Sequence, residues 1–259
     1  MNDDWLPMPR YRLRKDLVRK VLQHENLVNK TCLELGYGSG DMLLLYAELG
    51  LRAYGFDISE EALRHASTRI GNQPPLIRQR ITLIKEKAQI DEKRFDYIMA
   101  FEVLEHIEDD AACLGEWWNT LGEGGRLLIS VPAHLSKWGA NDVATGHYRR
   151  YEKQALMNLL ADSGFKVLYS WNYAYPLSIL LDIFLQRGSG VESEDSLSKE
   201  ELSKQSGINR KKNLVNRFVS SGFFLSPFLF MQRFFLNKDW SSAYLICAEK
   251  APGKSPDKE

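Results

Sequence analysis

Three glycines, Gly36, Gly38 and Gly40, share the run CLELGYGSGD with acidic residues on either side, Glu34 and Asp41. Glycine lacks a Cβ and tolerates positive φ, so this spacing lets a ligand approach the main chain closely. It also permits a sharp turn into a helix whose first N–H groups face that ligand. Asp57, 21 residues after Gly36, is an acceptor suited to a pair of ribose hydroxyls. Farther on, FEVLEHI brings together Glu102, Glu105 and His106, and GHYRRY offers His147, Tyr148, Arg149, Arg150 and Tyr151. Carboxylates and imidazoles can cap a helix, move a proton near neutral pH, or hold a divalent cation. Guanidinium forks and phenols can bind a carboxylate or phosphate and orient an aromatic ring or a sugar.

Short strands must deliver these groups to one edge. Apolar runs predict strands at 31–35, 52–56, 81–85, 95–101, 126–131, 165–170 and 243–249. Helical patterns lie between them at 42–49, 60–70, 109–121 and 152–163, with Ser59 placed to cap the second and Gly50, Gly122 and Gly164 ending three of them. Strands separated by such helices imply right-handed crossovers, so the expected fold is α/β, a doubly wound, mostly parallel sheet with helices on both faces. Ligands of such sheets bind at the carboxyl edge, where the glycine run, Asp57, Glu102 and the GHYRRY segment all fall.

Residues 1–28 read as a leader with an amphipathic helix, Leu13, Leu17, Val18, Val21 and Leu22 sharing one face. The main domain is expected over 29–173 and 243–251. Between its last two strands lies an insertion, 174–242, with an apolar helix at 175–186 and a polar, mobile loop at 188–212. Its end, FFLSPFLFMQRFFL at 223–236, is strongly aromatic. That stripe reads as a substrate lid or a dimer contact rather than a membrane anchor, because only Arg233 and Lys238 lie near it.

Lys+Arg and Asp+Glu balance at 34 each, so no basic excess marks a nucleic-acid partner. The three cysteines, Cys32, Cys113 and Cys247, sit far apart in apolar runs and read as buried thiols. No apolar run approaches the roughly 20 residues of a spanning helix. The N-terminus carries no secretory signature, and a cytoplasmic location is expected.

A nicotinamide or flavin dinucleotide site uses G-x-G-x-x-G. Here the third glycine falls one place early, and Asp41 stands where that pattern wants glycine. A carboxylate beside a pyrophosphate is unfavourable; beside a zwitterionic amino acid bearing a sulfonium it is not. The run E-L-G-x-G-x-G resembles motif I of the class I S-adenosylmethionine-dependent methyltransferases. The resemblance continues through GFDIS, FDYIMAFEVLEHIED and LGEGGRLLISVP, from about residue 31 to about 165.

That resemblance implies a seven-stranded sheet whose last strand is antiparallel, with S-adenosyl-L-methionine as cofactor. It implies that Glu34, Gly36, Tyr37, Gly38 and Gly40 line the methionine end and that Asp57 and Ile58 hold the ribose and adenine. Ala88 covers the adenine, and Phe101 with Glu102 lies beneath the cofactor. One position departs from the pattern: Lys87 stands where the family often has an acidic residue that bonds the adenine.

Three readings remain for Glu105 and His106: a helix cap, a general base at His106, or a divalent-cation site with Glu102 and one of His134 and His147. No metal ligand is assigned. The candidate catalytic set is His106, His147, Tyr148 and Arg149. The expected activity is methylation of a small-molecule acceptor, hydrophobic or aromatic, at O, N or C, with the aromatic insertion available for a homodimer. S-adenosylmethionine-consuming lyase, cyclase or aminocarboxypropyl chemistry is the alternative on the same site, followed by RNA ribose methylation and by cofactor binding without catalysis.

Overall fold

The computed structural model describes residues 7–91, 93–179 and 222–252. The first half runs α1 (Pro9–Gln23), β1 (Thr31–Leu35), α2 (Asp41–Glu48), β2 (Arg52–Phe56), α3 (Glu60–Gly71), α4 (Pro75–Arg78), β3 (Ile81–Ile84) and α5 (Ala88–Asp91). The second runs β4 (Phe95–Phe101), α6 (Asp110–Thr120), β5 (Leu121–Pro132), α7 (Ala140–Ala144), α8 (Lys153–Asp162), β6 (Phe165–Asn172), α9 (Gly222–Met231) and β7 (Ala243–Lys250). Among the described residues the strands form one seven-stranded sheet in the order β3-β2-β1-β4-β5-β7-β6. β1 to β5 pair in parallel, and β7 enters antiparallel between β5 and β6, as the sequence resemblance implied.

Successive strand residues point to opposite faces, and here both faces are buried. Cys32, Met99, Leu128 and Leu245 pack on one side with Leu13 and Leu17 of α1, Leu43 of α2 and Ile70 of α3. Their chain neighbours Leu33, Ile98, Ile129 and Ile246 pack on the other, with Leu114 and Trp117 of α6 and Leu156 and Leu160 of α8. The predicted leader helix is therefore part of the main core. β5 starts at Leu121 rather than 126: Leu121 pairs with Phe95, and the register then shifts before Arg126 meets Tyr97. Gly124, at φ +65°, absorbs that irregularity.

Because β6 pairs antiparallel to β7, it runs with the parallel strands, and Asn172 comes to the same carboxyl edge as Leu35, Phe56, Phe101 and Pro132. The insertion thus leaves the sheet and rejoins it at that edge. Residues 177–179 are helical; 180–186 of the predicted helix and the polar stretch 188–212 lie outside the described residues. α9 lies against α1, with Leu225 buried beside Leu13 and Leu17, and the Gln232 amide donating to the Leu13 carbonyl at 3.2 Å. Phe230 and Phe234, at 59% and 68% exposure, stay outside. No helix among the described residues is long and apolar enough to cross a membrane.

Candidate active site

The cleft at the carboxyl edge starts where β1 ends. Gly36, Gly38 and Gly40 all have positive φ, from +52° to +74°. At Gly36 a side chain would also collide, since an added Cβ falls 2.7 Å from Cγ2 of Val103. Gly40 precedes α2 and packs against α3, where an added Cβ would lie 2.9 Å from that of Ala66. Asp57, past the end of β2, ties the two turns together: one oxygen accepts from the Gly38 N–H at 2.8 Å and the other from the Ser59 N–H at 2.9 Å. Ionised oxygens retain further lone pairs, so both can still accept from a ligand. Ile58 next to it is 54% exposed, an open apolar platform.

Glu34 is buried, with Oε2 lacking a hydrogen-bond partner, and burial pushes its carboxyl well above the usual range despite the guanidinium of Arg14 nearby. Arg14 is buried too; its Nε has no partner, while Nη1 donates to Ser130 at 3.1 Å and lies 3.4 Å from Glu102. Its guanidinium sits over Phe101, 5.1 Å from the ring centre. Glu102 adopts φ +59°, held by Ser130 at 2.7 Å and by Arg10 at 3.6 Å. Although burial works against ionisation, Arg10 and Arg14 keep its carboxyl below the ordinary range. α1 is pinned over the glycine turn at a second point: Tyr11 donates to Asp41 at 2.8 Å, and Lys15 lies 2.5 Å from the same oxygen. The sequence reading missed Arg10, Tyr11, Arg14 and Lys15. A signal existed, because Arg10 and Arg14 are one turn apart beside the apolar positions 13 and 17.

The second group lies beyond β4. Glu105 is fully buried with neither oxygen hydrogen-bonded, and the Nδ1 of His106 is likewise without a partner. Neither caps α6; Asp109 does that, accepting from the Ala112 N–H at 2.9 Å. Burial and then Glu102 push the Glu105 carboxyl well up, while burial and His147 push the His106 imidazole down to about 4. The His106 and His147 rings meet edge to face, 4.7 Å between centres. One ligand atom each from Glu105, His106 and His147 lies within 4.8 Å of the others, close enough for a divalent cation to bridge. Glu102, the remaining member of E-x-x-E-H, is instead engaged with Arg10, Arg14 and Ser130.

GHYRRY is stitched down beside this group. The Tyr148 N–H donates to the Glu105 carbonyl at 2.8 Å, and the Tyr151 hydroxyl to Asp110 at 2.9 Å. Arg149 grips Asp110 at 2.7 Å and the Glu108 carbonyl, so its guanidinium fastens the segment to the start of α6. Arg150 holds Asp142 at 2.9 Å. Asp142, a residue the sequence reading did not single out, lies 2.8 Å from Nδ1 of His147. Nothing in periodicity or spacing marks it. Lys87 pairs with Glu116 at 2.6 Å, and Ala88 opens α5 with its side chain exposed.

A doubly wound sheet in this strand order, a glycine turn after β1 and an acidic residue after β2 define the class of Rossmann-like S-adenosylmethionine-dependent methyltransferases. The chain belongs to the family described as a methyltransferase domain, whose model matches residues 9–170. A protein of Mycolicibacterium smegmatis named "Probable S-adenosylmethionine-dependent methyltransferase" is 28% identical over 156 residues, 60% of this chain and 58% of that one. The ubiquinone biosynthesis O-methyltransferase of Alkalilimnicola ehrlichii is 30% identical over 119 residues, 46% of this chain and 47% of its own length. The chain thus spans about half the length of the curated relatives it matches. The glycopeptide N-methyltransferase MtfA, solved with S-adenosylmethionine, shares the fold at a TM-score of 0.53 and 16% identity, over 90% of this chain and 92% of that one. The cofactor of this family is S-adenosylmethionine.

The residues present fit that cofactor. A zwitterionic amino acid needs an acceptor and a cationic donor side by side, and Glu34 of β1 and Arg14 of α1 each keep a buried polar atom without a partner. Glycines stand where side chains would fill the approach, and Asp57 retains acceptor capacity.

Proposed function

We propose that the protein methylates a hydroxyl group of a small-molecule acceptor, with His147 as general base. In this reading Arg14 takes the cofactor's carboxylate and Glu34 its ammonium, the backbone of Gly36–Gly40 lies along the methionine end, and Asp57 accepts from the ribose hydroxyls. Ile58 and Ala88 flank the adenine, with Tyr37, Phe101 and Glu102 bounding the cleft. When bound, S-adenosylmethionine supplies a methyl group on a sulfonium that needs no further activation. The chain's own task is orientation, exclusion of water and removal of one proton.

The observation that carries the base assignment is the bond between His147 Nδ1 and Asp142, which leaves Nε2 facing the buried group of Glu105 and His106 at the cofactor's edge of the sheet. His106, held neutral, packs edge to face on His147, and Tyr148 and Arg149 hold the segment that carries His147 in place. The kinship with ubiquinone biosynthesis O-methyltransferases favours an oxygen acceptor of hydrophobic or aromatic character. The exposed Phe230 and Phe234, on an insertion rooted at the same edge, support a lid or dimer surface that would meet such a molecule.

The test uses S-adenosylmethionine labelled on the methyl group, incubated with the protein and a fractionated metabolite extract. Label is expected in a small-molecule fraction as a base-stable ether. Label confined to RNA would reject the reading, and label released only with volatile base-cleaved material would reject the ether.

A further inference from the structure

We infer that Asp142 is the positioning residue of this site: it fixes the tautomer of His147 so that Nε2, not Nδ1, is the proton acceptor. The side chain of Asp142 is buried, and each of its contacts is a donor. Oδ2 accepts the Gly139 N–H at 2.9 Å, closing the first turn of α7. Oδ1 accepts from Nε of Arg150 at 2.9 Å and faces Nδ1 of His147 at 2.8 Å. An ionised carboxylate can only accept, so the proton between Asp142 and His147 belongs to Nδ1. Against the cost of burial, the bonds from His147 and Arg150 hold Asp142 below its ordinary range and so keep it ionised.

The backbone makes this arrangement rigid. The His147 N–H donates to the Asp142 carbonyl at 2.9 Å across a turn closed by Gly146 at φ +76°, and Arg150 reaches on to the Ala133 carbonyl at 3.2 Å. The imidazole cannot swing without breaking its bond to Asp142, which Arg150 and the Gly139 N–H hold in place. With Nδ1 committed, the lone pair of Nε2 is presented inward, 3.9 Å from Oε1 of Glu105, a gap too long for a hydrogen bond. A substrate hydroxyl that reaches Nε2 gives its proton to it while the electron pair stays on oxygen, and the imidazolium so formed rests against Asp142. A carboxylate bonded to one ring nitrogen, with the other nitrogen left to accept, reproduces the division of labour between orienting group and base.

The inference rests on the base role proposed for His147, and its test is independent of turnover. Protein labelled with 15N-histidine is examined by two-bond 1H–15N correlation at neutral pH, with the His147 ring assigned by its disappearance in His147→Asn. Nδ1 is expected to carry the proton and Nε2 to be bare. In Asp142→Ala the acceptor for Nδ1–H is gone, so the preference for that tautomer is expected to fall and Nε2–H to appear. Because the wild-type spectrum alone reports the tautomer, a variant that fails to fold leaves the question answerable. A wild-type His147 protonated at Nε2 with Nδ1 bare, or a folded Asp142→Ala protein with an unchanged His147 tautomer, would overturn the inference. Failure of S-adenosylmethionine to bind, measured by calorimetry on the same sample, would strike the methyltransferase reading and leave the tautomer result intact.

Discussion

Gly36 shows how tightly a single position is constrained at this site. Two independent penalties meet there, a φ of +70° and a Cβ that would lie 2.7 Å from Val103 Cγ2. Gly36→Ala should cost about 1–3 kcal/mol for the backbone alone, with more from the clash, read as a lowered urea midpoint. Adding Val103→Ala should recover the clash but not the φ penalty, so the double variant is expected to be more stable than Gly36→Ala and still less stable than Val103→Ala. At His147, replacement by Asn should cut methyl transfer by about a hundredfold or more, the range of a lost general base, while leaving the dissociation constant for S-adenosylmethionine unchanged. The glycines, Asp57 and His147 were legible in the sequence because their chemistry depends on residue type and local spacing. Asp142 was not, since its role exists only once the turn at Gly146 folds His147 back onto it.

At the scale of elements, α1 belongs to the site more than its place ahead of the first strand suggests. Its apolar face supplies Leu13 and Leu17 to the core, and the adjoining row supplies Arg10 and Arg14 to Glu102. Arg14→Ala leaves Glu102 with one fewer buried partner, and the expected loss is about 3 kcal/mol, a fall in Tm of roughly 10 °C for a chain of this length. The same variant should weaken S-adenosylmethionine binding in calorimetry, and Arg14→Lys, which keeps a cation beside Glu102, should recover part of the stability. Most strands and long helices were readable from periodicity and caps: Ser59 caps α3 through the Ala62 N–H as expected, and β1, β2 and β4 begin and end where the apolar runs do. The short helices α4, α5 and α7 were not, because four or five residues carry no helical period to detect. The early start of β5 likewise depends on pairing with Phe95, a contact between chain segments far apart in sequence.

Across the whole molecule, acid should loosen the fold through the same buried group that is proposed to serve the site. Burial and the adjacent His147 push the His106 imidazole down to about 4 from its ordinary 6.5. The unfolded chain therefore takes up a proton near pH 6.5 that the folded protein refuses until near pH 4. Stability held by the neutral ring is complete above pH 6.5 and drains away as pH falls toward 4. Urea midpoints of the wild type are expected to drop between neutral pH and pH 5, with a shallower drop in His106→Gln; equal slopes would show that other groups govern the loss.

The carboxyl edge gathers the glycine turn, Asp57, α1, the His106–His147 group and both ends of the insertion, so cofactor and acceptor should meet in one place. The sulfur product tests this most directly. With purified protein, S-adenosylmethionine and the metabolite fraction that accepts label, mass spectrometry should find S-adenosylhomocysteine in amounts equal to the methylated product. Methylthioadenosine in its place, or consumption of S-adenosylmethionine with no methylated product, would contradict methyl transfer as the chemistry of this fold.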